Sequence, residues 1–274
     1  MVARAALHMW EEPCLSGEKG AGTVFFSGCS LNCVFCQNKD ISTGRKIDNK
    51  NTILGKEISI ERLTEIFFML KEQGAENIDL VTPSHFMPSI KKAIIKAKDE
   101  NINIPFVYNS GGYDTVEAIK ELEGVIDIYL PDFKYYDDRL AVMYSKAPDY
   151  FQYASESLRE MVNQIKGVEF DHRGIMKKGV IVRHMIIPSH TEDSKKIIKY
   201  LYDEYGDKIY ISIMNQYTPV DVYEKNPELN RKLTKREYNK VIDFAVETGV
   251  NNGFIQEGKT ASESFIPQFF PYNI

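Results

Sequence analysis

Short apolar segments alternate with segments of helical periodicity from residue 60 onward, and no other feature of the sequence constrains the fold as strongly. Parallel strands need a long crossover connection, which is usually a helix. Six strand–helix units in 274 residues fit a single α/β domain, built as a closed or partial α/β barrel or as a doubly wound sheet. The six strands are predicted at 23–28, 78–82, 106–109, 126–131, 180–187 and 209–214.

Amphipathic helices are predicted between these strands from their apolar spacing and their capping residues. Ser59 and Gly74 bracket one helix, and Thr191 is predicted to cap another. Thr234 and Glu237 have the spacing of a capping box. Further helices are predicted from Pro88, at 116–122, at 140–147 and at 155–165.

The span 135–178 is less regular than the rest of the chain and is interpreted as an insertion. Its last part, 168–178, is rich in charged residues and contains Gly174. That composition predicts a polar loop.

Composition and charge narrow the functional classes. Hydrophobic residues make up 43% of the chain and charged residues 27%, so a folded core is expected. The formal net charge of −5 disfavours a nucleic-acid partner, because phosphate backbones select basic surfaces. No apolar stretch reaches the roughly 18 residues of a membrane-spanning helix, and residues 1–10 lack the features of a secretion signal. We therefore expect a cytoplasmic protein without a membrane partner.

Three of the four cysteines lie close together directly after the first predicted strand. Cys29, Cys33 and Cys36 follow one another at spacings of four and three residues. The neighbouring Gly28 and Asn32 tolerate the curled backbone that would bring the three thiols together. In parallel α/β folds ligands bind at the carboxyl ends of the strands, which is where this segment falls.

The number of cysteines restricts the kind of site they form. Without a secretion signal they are expected to be ligands or catalytic groups rather than disulfides. A structural zinc site and an electron-transfer 4Fe–4S cluster generally need four ligands, whereas three thiolates on a four-iron cluster leave one iron open to a chelating substrate. Chance grouping in a core loop, a zinc-stabilised binding module and an iron–sulfur electron carrier or sensor without radical chemistry remain alternatives.

The spacing C-x-x-x-C-x-x-C, with Phe35 directly before the last cysteine, resembles the radical S-adenosylmethionine superfamily. The resemblance implies that Cys29, Cys33 and Cys36 hold a 4Fe–4S cluster whose open iron binds the amino and carboxylate groups of S-adenosylmethionine. It also implies reductive cleavage of this cofactor to methionine and a 5′-deoxyadenosyl radical, which abstracts a hydrogen atom from the substrate. On the same basis, Phe35 is expected to contact the cofactor.

Three longer motifs are similar to those of the pyruvate formate-lyase activating enzymes and their poorly characterised relatives. They are Trp-Glu-Glu-Pro-Cys at 10–14, Phe-Phe-Ser-Gly-Cys at 25–29 and Phe-Cys-Gln-Asn at 35–38. The resemblance implies a partial (β/α)6 barrel of the TIM-like type, with parallel strands and outer helices.

The same resemblance implies one domain over the whole chain, 1–274. Within it we expect three parts: an N-terminal extension (1–22), a barrel core (23–217) and a C-terminal helix with an aromatic tail (218–274). The tail at 265–274 is predicted to pack against the barrel.

Residues at the second and third strand ends are assigned to the cofactor by the resemblance. Ser84 stands where the activating enzymes hold the amino group of the cofactor with a Gly-Gly-Glu motif, although the carboxylate is missing here. Asn109 and Ser110 align with a stretch that helps to hold a monovalent cation, with Asn109 in place of an aspartate. A plain turn explains the glycines that follow them equally well.

The later strand ends supply charged groups. Asp132 and Lys134 reproduce an Asp-x-Lys motif, and strand alternation places them on one face. The resemblance implies that Lys134 neutralises the cofactor carboxylate, that Asp132 faces the sulfonium and that Arg183 also contacts the carboxylate. Gln216 stands close to a histidine that the activating enzymes use for adenine and substrate contacts. An exposed ion pair is the alternative interpretation of Asp132 and Lys134.

The remaining cysteine and the histidines are less informative. Cys14 is interpreted as a distal ligand, a reactive thiol or a buried small residue, and the last is favoured. His85 is interpreted as a polar wall residue or a proton carrier. His8, His172 and His190 are predicted to be ordinary surface residues.

The resemblance also implies partners. The substrate is expected to be a protein or peptide, with the glycine loop of a glycyl radical enzyme as the example from the activating enzymes. The electron donor is expected to be a flavodoxin or a ferredoxin. Fold and cofactor do not by themselves fix the substrate.

Overall fold

The structure is a computed structural model that describes residues 1–47 and 50–256. Its strands are β1 (Val2–His8), β2 (Ala21–Phe26), β3 (Arg45–Ile47), β4 (Lys50–Thr52), β5 (Ile78–Val81), β6 (Phe106–Ser110), β7 (Ile128–Pro131), β8 (Glu169–Phe170), β9 (Met176–Met185), β10 (Tyr210–Met214) and β11 (Gly253–Ile255). Its α-helices are α1 (Pro13–Ser16), α2 (Lys39–Ser42), α3 (Ile60–Glu72), α4 (Met87–Asp99), α5 (Val116–Lys120), α6 (Asp138–Ser145), α7 (Tyr150–Gln164), α8 (Thr191–Tyr205) and α9 (Lys235–Thr248).

One large sheet organises the fold, and the order of its strands in space follows their order in the sequence. That order is β1-β2-β5-β6-β7-β9-β10-β11, with β8 paired to β9. The strands from β2 to β11 along this path pair in parallel, whereas β1 is antiparallel to β2. A doubly wound sheet reverses its strand order at a switch point, and the described sheet does not. The predicted partial barrel is therefore confirmed, with β1 and β11 at its two edges.

Side-chain caps begin the helices that the sequence predicted most clearly. The Ser59 hydroxyl accepts a hydrogen bond from the Arg62 amide at 3.1 Å at the start of α3. Thr234 and Glu237 each accept a hydrogen bond from the backbone amide of the other, so the predicted capping box begins α9. No helix of the described residues is both long enough and apolar enough to cross a membrane.

Two details of the helices differ from the prediction. Thr191 is the first residue of α8 rather than its cap, and the acidic side chains of Glu192 and Asp193 complement the positive end of the helix instead. In the middle of the chain, α6 begins at 138 rather than 140 and α7 at 150 rather than 155.

The prediction of a polar loop at 168–178 is wrong. β8 pairs in antiparallel fashion with the start of β9 and forms a hairpin. Asp171 accepts hydrogen bonds from the amides of Arg173 at 2.9 Å and Ile175 at 3.0 Å and closes the turn. Both residues of β8 are exposed, so this strand lacks the apolar face that would have made it recognisable.

The sheet extends past both boundaries predicted for the barrel core. β1 lies inside the predicted N-terminal extension, and β11 lies inside the predicted C-terminal part. The aromatic tail at 265–274 lies outside the described residues. The division of the chain at 22 and 217 therefore does not coincide with the ends of the sheet.

Candidate functional site

A cavity of about 620 Å³ lies in the interior of the partial barrel. One end is bounded by residues that follow β2, β7 and β10, at the carboxyl edge of the parallel strands. The other end is bounded by residues 9–17, which we call the floor segment. Because β1 is antiparallel to β2, the floor segment begins beside the amino end of β2. The loop after β2, residues 27–38, is the cysteine loop and forms the roof.

Backbone hydrogen bonds hold the cysteine loop in its curled conformation. Gly28 has a φ of +90°, which glycine adopts without strain, and its amide donates to the Ile41 carbonyl at 2.7 Å. The amides of Asn32 and Val34 donate to carbonyls at the end of α6 at 3.0 and 2.8 Å. The predicted curl is present, although of the two residues named for it only Gly28 has a positive φ.

The three thiols of the loop lie near one another at the roof. Cys33 and Cys36 line the cavity, and Cys29 is close enough to interact electrostatically with both. Cys33 Sγ accepts a hydrogen bond from Ser145 Oγ at 2.9 Å, and Cys36 Sγ lies 3.3 Å from Ser42 Oγ. Burial raises the pKa of the Cys29 thiol and raises that of Cys33 to about 11, so metal binding there must release protons.

Among the described residues, the three thiols are not grouped as the ligands of a single metal ion. Over residues 1–47 and 50–256, no three His, Cys, Asp or Glu side chains converge as ligands of one ion would. In a four-iron cluster each thiolate binds a different iron, so the ligands stand farther apart than those of one ion.

A network of charged side chains forms the wall below the roof. Arg183 on β9 donates from Nε to Asp132 Oδ1 at 3.0 Å, from Nη2 to Asn109 Oδ1 at 2.6 Å and from Nη1 to Glu11 Oε2 at 3.2 Å. Lys134 Nζ donates to the second oxygen of Asp132 at 2.6 Å. Residues predicted from separate strand ends are thus brought into one hydrogen-bonded group that reaches from β6 to the floor segment.

The Asp132–Lys134 pair is charged and largely buried. Burial by itself lowers the pKa of Lys134, but the Asp132 carboxylate outweighs it and raises the value to about 12. Burial raises the pKa of Asp132, and Lys134 and Arg183 together hold it below its ordinary value. The two side chains are only 19% and 17% exposed, which excludes the exposed ion pair considered as an alternative.

Phe35 and Gln216 also line the cavity, near the roof. The Phe35 ring is buried edge-on against Tyr217, with a centroid distance of 5.9 Å. Gln37 Nε2 donates to the backbone carbonyl of Gln216 at 3.1 Å and ties the cysteine loop to the end of β10.

Ser84 and Ser110 are not part of the cavity wall. Their hydroxyls donate to the two oxygens of Asp114 at 2.8 and 2.7 Å, and the Tyr108 hydroxyl donates to the same carboxylate at 3.1 Å. Asp114 therefore organises the ends of β5 and β6 from the side. Sequence reasoning did not identify Asp114, and contact of these serines with a cofactor stays a prediction.

Cys14 lies far from the cysteine loop in sequence and borders a different space. It is buried in α1 and lines a second cavity of about 650 Å³ that does not include the other cysteines. Burial raises the pKa of its thiol to about 12, as expected for an unreactive buried residue. His85 is exposed beyond β5 and outside the main cavity wall.

The prediction that His8, His172 and His190 are ordinary surface residues is correct only for His172, which is exposed. His8 lines the cavity, with Nε2 at 3.8 Å from a carboxylate oxygen of Glu11. His190 Nε2 lies 2.9 Å from the Tyr144 hydroxyl. His8 belongs to β1, which the sequence did not predict, and His190 takes the cap position of α8 that was predicted for Thr191.

Glu11 and Glu12 of the floor segment complete the site, and sequence reasoning named their motif without giving them a role. Burial raises the pKa of both carboxyl groups. The Trp-Glu-Glu-Pro-Cys motif was the only sequence feature that pointed to these two residues. That the motif faces the cavity follows from the antiparallel pairing of β1 with β2, which brings the end of β1 to the barrel interior.

Comparison with known proteins identifies the family. Residues 23–201 match the model of the Radical SAM superfamily. An uncharacterised protein of Methanocaldococcus jannaschii is 31% identical over 243 residues, which cover 87% of this chain and 65% of that protein. The crystal structure of Streptococcus suis SuiB bound to precursor peptide SuiA has a TM-score of 0.56 at 11% identity, covering 86% of this chain and 48% of that one. HydG, a maturase of the FeFe hydrogenase, has a TM-score of 0.58 at 15% identity, covering 92% and 56%.

The chain spans 65% of the curated relative and about half of the two solved structures. At their low identities the solved structures show the fold alone, whereas the family match covers well over half of this chain. On that match, the chain belongs to the radical S-adenosylmethionine superfamily of enzymes, and membership implies a 4Fe–4S cluster and S-adenosylmethionine as cofactors.

Proposed function

We propose that this protein cleaves S-adenosylmethionine reductively at a 4Fe–4S cluster held by Cys29, Cys33 and Cys36, and abstracts a hydrogen atom from a peptide or protein. The observation that carries the proposal is that Cys33 and Cys36 line a cavity with charged side chains in its wall, with Cys29 beside them. Once bound, the cofactors supply a 5′-deoxyadenosyl radical, while the chain binds and orients the reactants.

The donor set fits an iron–sulfur cluster with an open iron. Thiolates are the ligands that such clusters prefer, and this loop provides three. The fourth cysteine, Cys14, lines a separate cavity beside α1, so it is not available as a further ligand. The open corner is then free for S-adenosylmethionine.

The wall below the roof suits the charged parts of S-adenosylmethionine. The charge of Lys134 partly opposes the rise in pKa that burial causes at Cys29 and Cys33, so this ammonium group acts on the cysteine loop, and it would bind the cofactor carboxylate. Asp132 would face the sulfonium. Phe35 and Gln216, which line the same region, would contact the adenosine part.

Two expectations change in the light of the contacts. Arg183 donates one hydrogen bond from each of its three nitrogens, to Asp132, Asn109 and Glu11, which leaves only the second N–H of each η nitrogen. We therefore assign it mainly the positioning of Asp132 rather than direct contact with the cofactor carboxylate. Asn109 presents its oxygen to that guanidinium and its amide nitrogen to Asp79 Oδ2 at 3.2 Å. Because its oxygen is occupied by a cationic partner, we assign no monovalent cation site there.

A peptide or protein substrate is supported by the fold it shares with SuiB, which was solved with a precursor peptide. The finer proposal is a glycyl radical enzyme whose glycine loop enters the cavity, with a flavodoxin or ferredoxin as electron donor. Its support is the resemblance of the motifs at 10–14, 25–29 and 35–38 to the activating enzymes.

The test is anaerobic reconstitution with iron and sulfide, reduction by dithionite and measurement of 5′-deoxyadenosine by mass spectrometry. We expect the nucleoside from the wild type and from Cys14→Ala, and none above background from Cys33→Ala. An intact cluster that releases no 5′-deoxyadenosine would contradict the proposal and favour an electron carrier or sensor. Cleavage by Cys33→Ala at the wild-type rate would contradict the ligand assignment.

A further inference from the structure

The floor of the cavity lies well away from the cysteines. His8, just before the floor segment, pairs with Ala21 at the start of β2, whereas the cysteine loop follows Phe26 at the other end of that strand. A strand of this length spans on the order of 15–20 Å. If the cofactor occupies the roof, the floor remains for the molecule that reacts with it.

The floor has hydrogen-bonding capacity that no described residue uses. Glu12 is 8% exposed and lines the cavity, and its Oε2 has no hydrogen-bond partner among the described residues. Ser16, 2% exposed and on the same segment, has an unpartnered hydroxyl at the cavity wall. A buried carboxylate oxygen without a donor is costly, so a site of this kind is completed by a ligand that donates hydrogen bonds.

The charges around the floor favour a cationic donor. Four carboxyl groups belong to this interior network, those of Glu11, Glu12, Asp79 and Asp132, and burial raises the pKa of the first three. The basic groups facing them are Arg183, Lys134 and His8, whose Nε2 lies 3.8 Å from a Glu11 oxygen. Arg183 and Lys134 are already bonded to members of the network. The unpartnered Glu12 oxygen is therefore a hydrogen-bond acceptor in a network that holds more carboxyl groups than basic groups.

The walls above the floor suit an alkyl chain. Phe254 of β11 lines the same cavity, as do Met185 and Met214 at the carboxyl ends of β9 and β10, nearer the roof. A long aliphatic stem packs against such apolar side chains while its charged end reaches a polar partner.

We propose that the floor binds an ammonium or guanidinium group carried on an alkyl chain of the substrate, with Glu12 as its acceptor and Ser16 as a second hydrogen-bonding partner. The inference rests on the proposed function, because it places the substrate in the cavity that the cofactor shares. It identifies the substrate class as a molecule with a basic side chain, such as a lysine or arginine residue of a peptide.

The burial of Glu12 agrees with this assignment. Desolvation raises the pKa of the Glu12 carboxyl group, and Arg183 and Ser212 only partly oppose the effect. A cation placed beside the unpartnered oxygen would restore the stability that the charged form loses on burial.

The experiment titrates the full chain, reconstituted anaerobically but without S-adenosylmethionine or reductant, with n-butylammonium and with neutral 1-butanol. Saturation-transfer NMR measures binding to the wild type, to Glu12→Gln and to Glu18→Gln, an exposed control on the next turn of the chain. We expect the wild type and Glu18→Gln to bind the ammonium about tenfold more tightly than butanol, and Glu12→Gln to lose that preference.

Equal affinity for ammonium and butanol in the wild type, or an unchanged preference in Glu12→Gln, would overturn the inference and leave a water-filled floor. If Glu12→Gln does not fold, as judged by circular dichroism, Ser16→Ala replaces it and is expected to weaken ammonium binding severalfold. Since no cofactor is cleaved in this experiment, its failure is distinguishable from a failure of the proposed function.

Discussion

Arg183 Nη1 donates a hydrogen bond to Glu11 Oε2 at 3.2 Å, although the two residues lie 172 positions apart in the chain. The contact joins β9 to the floor segment, and the same guanidinium also holds Asp132 and Asn109. One side chain thus links the floor of the cavity to the wall beneath the cysteine loop. Its removal affects both ends of the site.

Arg183→Met is expected to lower the free energy of unfolding by about 3–5 kcal/mol, because it leaves buried carboxyl groups without their cationic partner. Urea unfolding followed by circular dichroism measures the loss. Arg139→Met is the control: Arg139 pairs with Asp137 at the surface, where its side chain is 89% exposed, and a much smaller loss is expected. Similar losses of unfolding free energy in the two variants would show that the buried Arg183 network stabilises the fold no more than an exposed ion pair does.

Gly112 is expected to resist substitution because the end of β6 approaches the residue after β7. Its φ is +76°, and a Cβ there would lie 2.1 Å from the Asp132 carbonyl oxygen. Gly124 has a similar φ of +72° with no atom within 4 Å of the added carbon, so it isolates the backbone strain from the steric clash. Gly124→Ala is expected to lower the free energy of unfolding by about 1–2 kcal/mol through backbone strain alone. Gly112→Ala is expected to lower it by a further ~1–3 kcal/mol because of the steric clash. Equal unfolding midpoints for the two variants would contradict this explanation.

The sequence predicted the parts of the site that lie at the ends of regular strands. Asp132 and Lys134 follow β7 directly, and alternation placed them on one face, whereas Arg183 on β9 was assigned to the same site by the resemblance. The floor segment was not predicted to turn inward, since β1 is an edge strand whose antiparallel pairing no local pattern specifies. Ser84 and Ser110 were placed at the correct strand ends, but their bonds to Asp114 depend on a turn that periodicity does not describe.

Acid is expected to weaken the start of α9. The Arg231 guanidinium, with hydrogen bonds from Thr234 and Ser189, holds the pKa of Glu237 well below its ordinary value. A depressed carboxyl pKa contributes stability above the unfolded value of about 4.3, and this stability is lost as the pH falls toward the folded value. The difference in unfolding free energy between wild type and Glu237→Gln should therefore be largest above pH of about 5 and shrink toward pH of about 3.

Glutamine also satisfies a capping box, so Glu237→Gln changes the charge and retains the cap. Glu247→Gln, at an exposed position of the same helix, is the matched control. A constant difference between wild type and Glu237→Gln across this pH range would show that the charge of Glu237 contributes little to stability.

Lys134→Met is expected to weaken the binding of S-adenosylmethionine about tenfold, because the cofactor carboxylate would lose a charge-assisted hydrogen bond in a buried site. Anaerobic calorimetry on the reconstituted protein measures the dissociation constant, and the iron content of each sample is determined in parallel. Lys120→Met, at an exposed position of α5, should bind as the wild type does. Unchanged affinity in Lys134→Met would remove Lys134 from the cofactor site.

The electron paramagnetic resonance spectrum of the reduced cluster, recorded with and without S-adenosylmethionine, distinguishes a cluster with an open iron from a fully ligated one. Coordination of the cofactor to an iron that no protein ligand occupies must alter the electronic environment of the cluster. We expect a clear change of the spectrum when S-adenosylmethionine is added. An identical spectrum from a fully loaded, reduced sample would contradict this expectation.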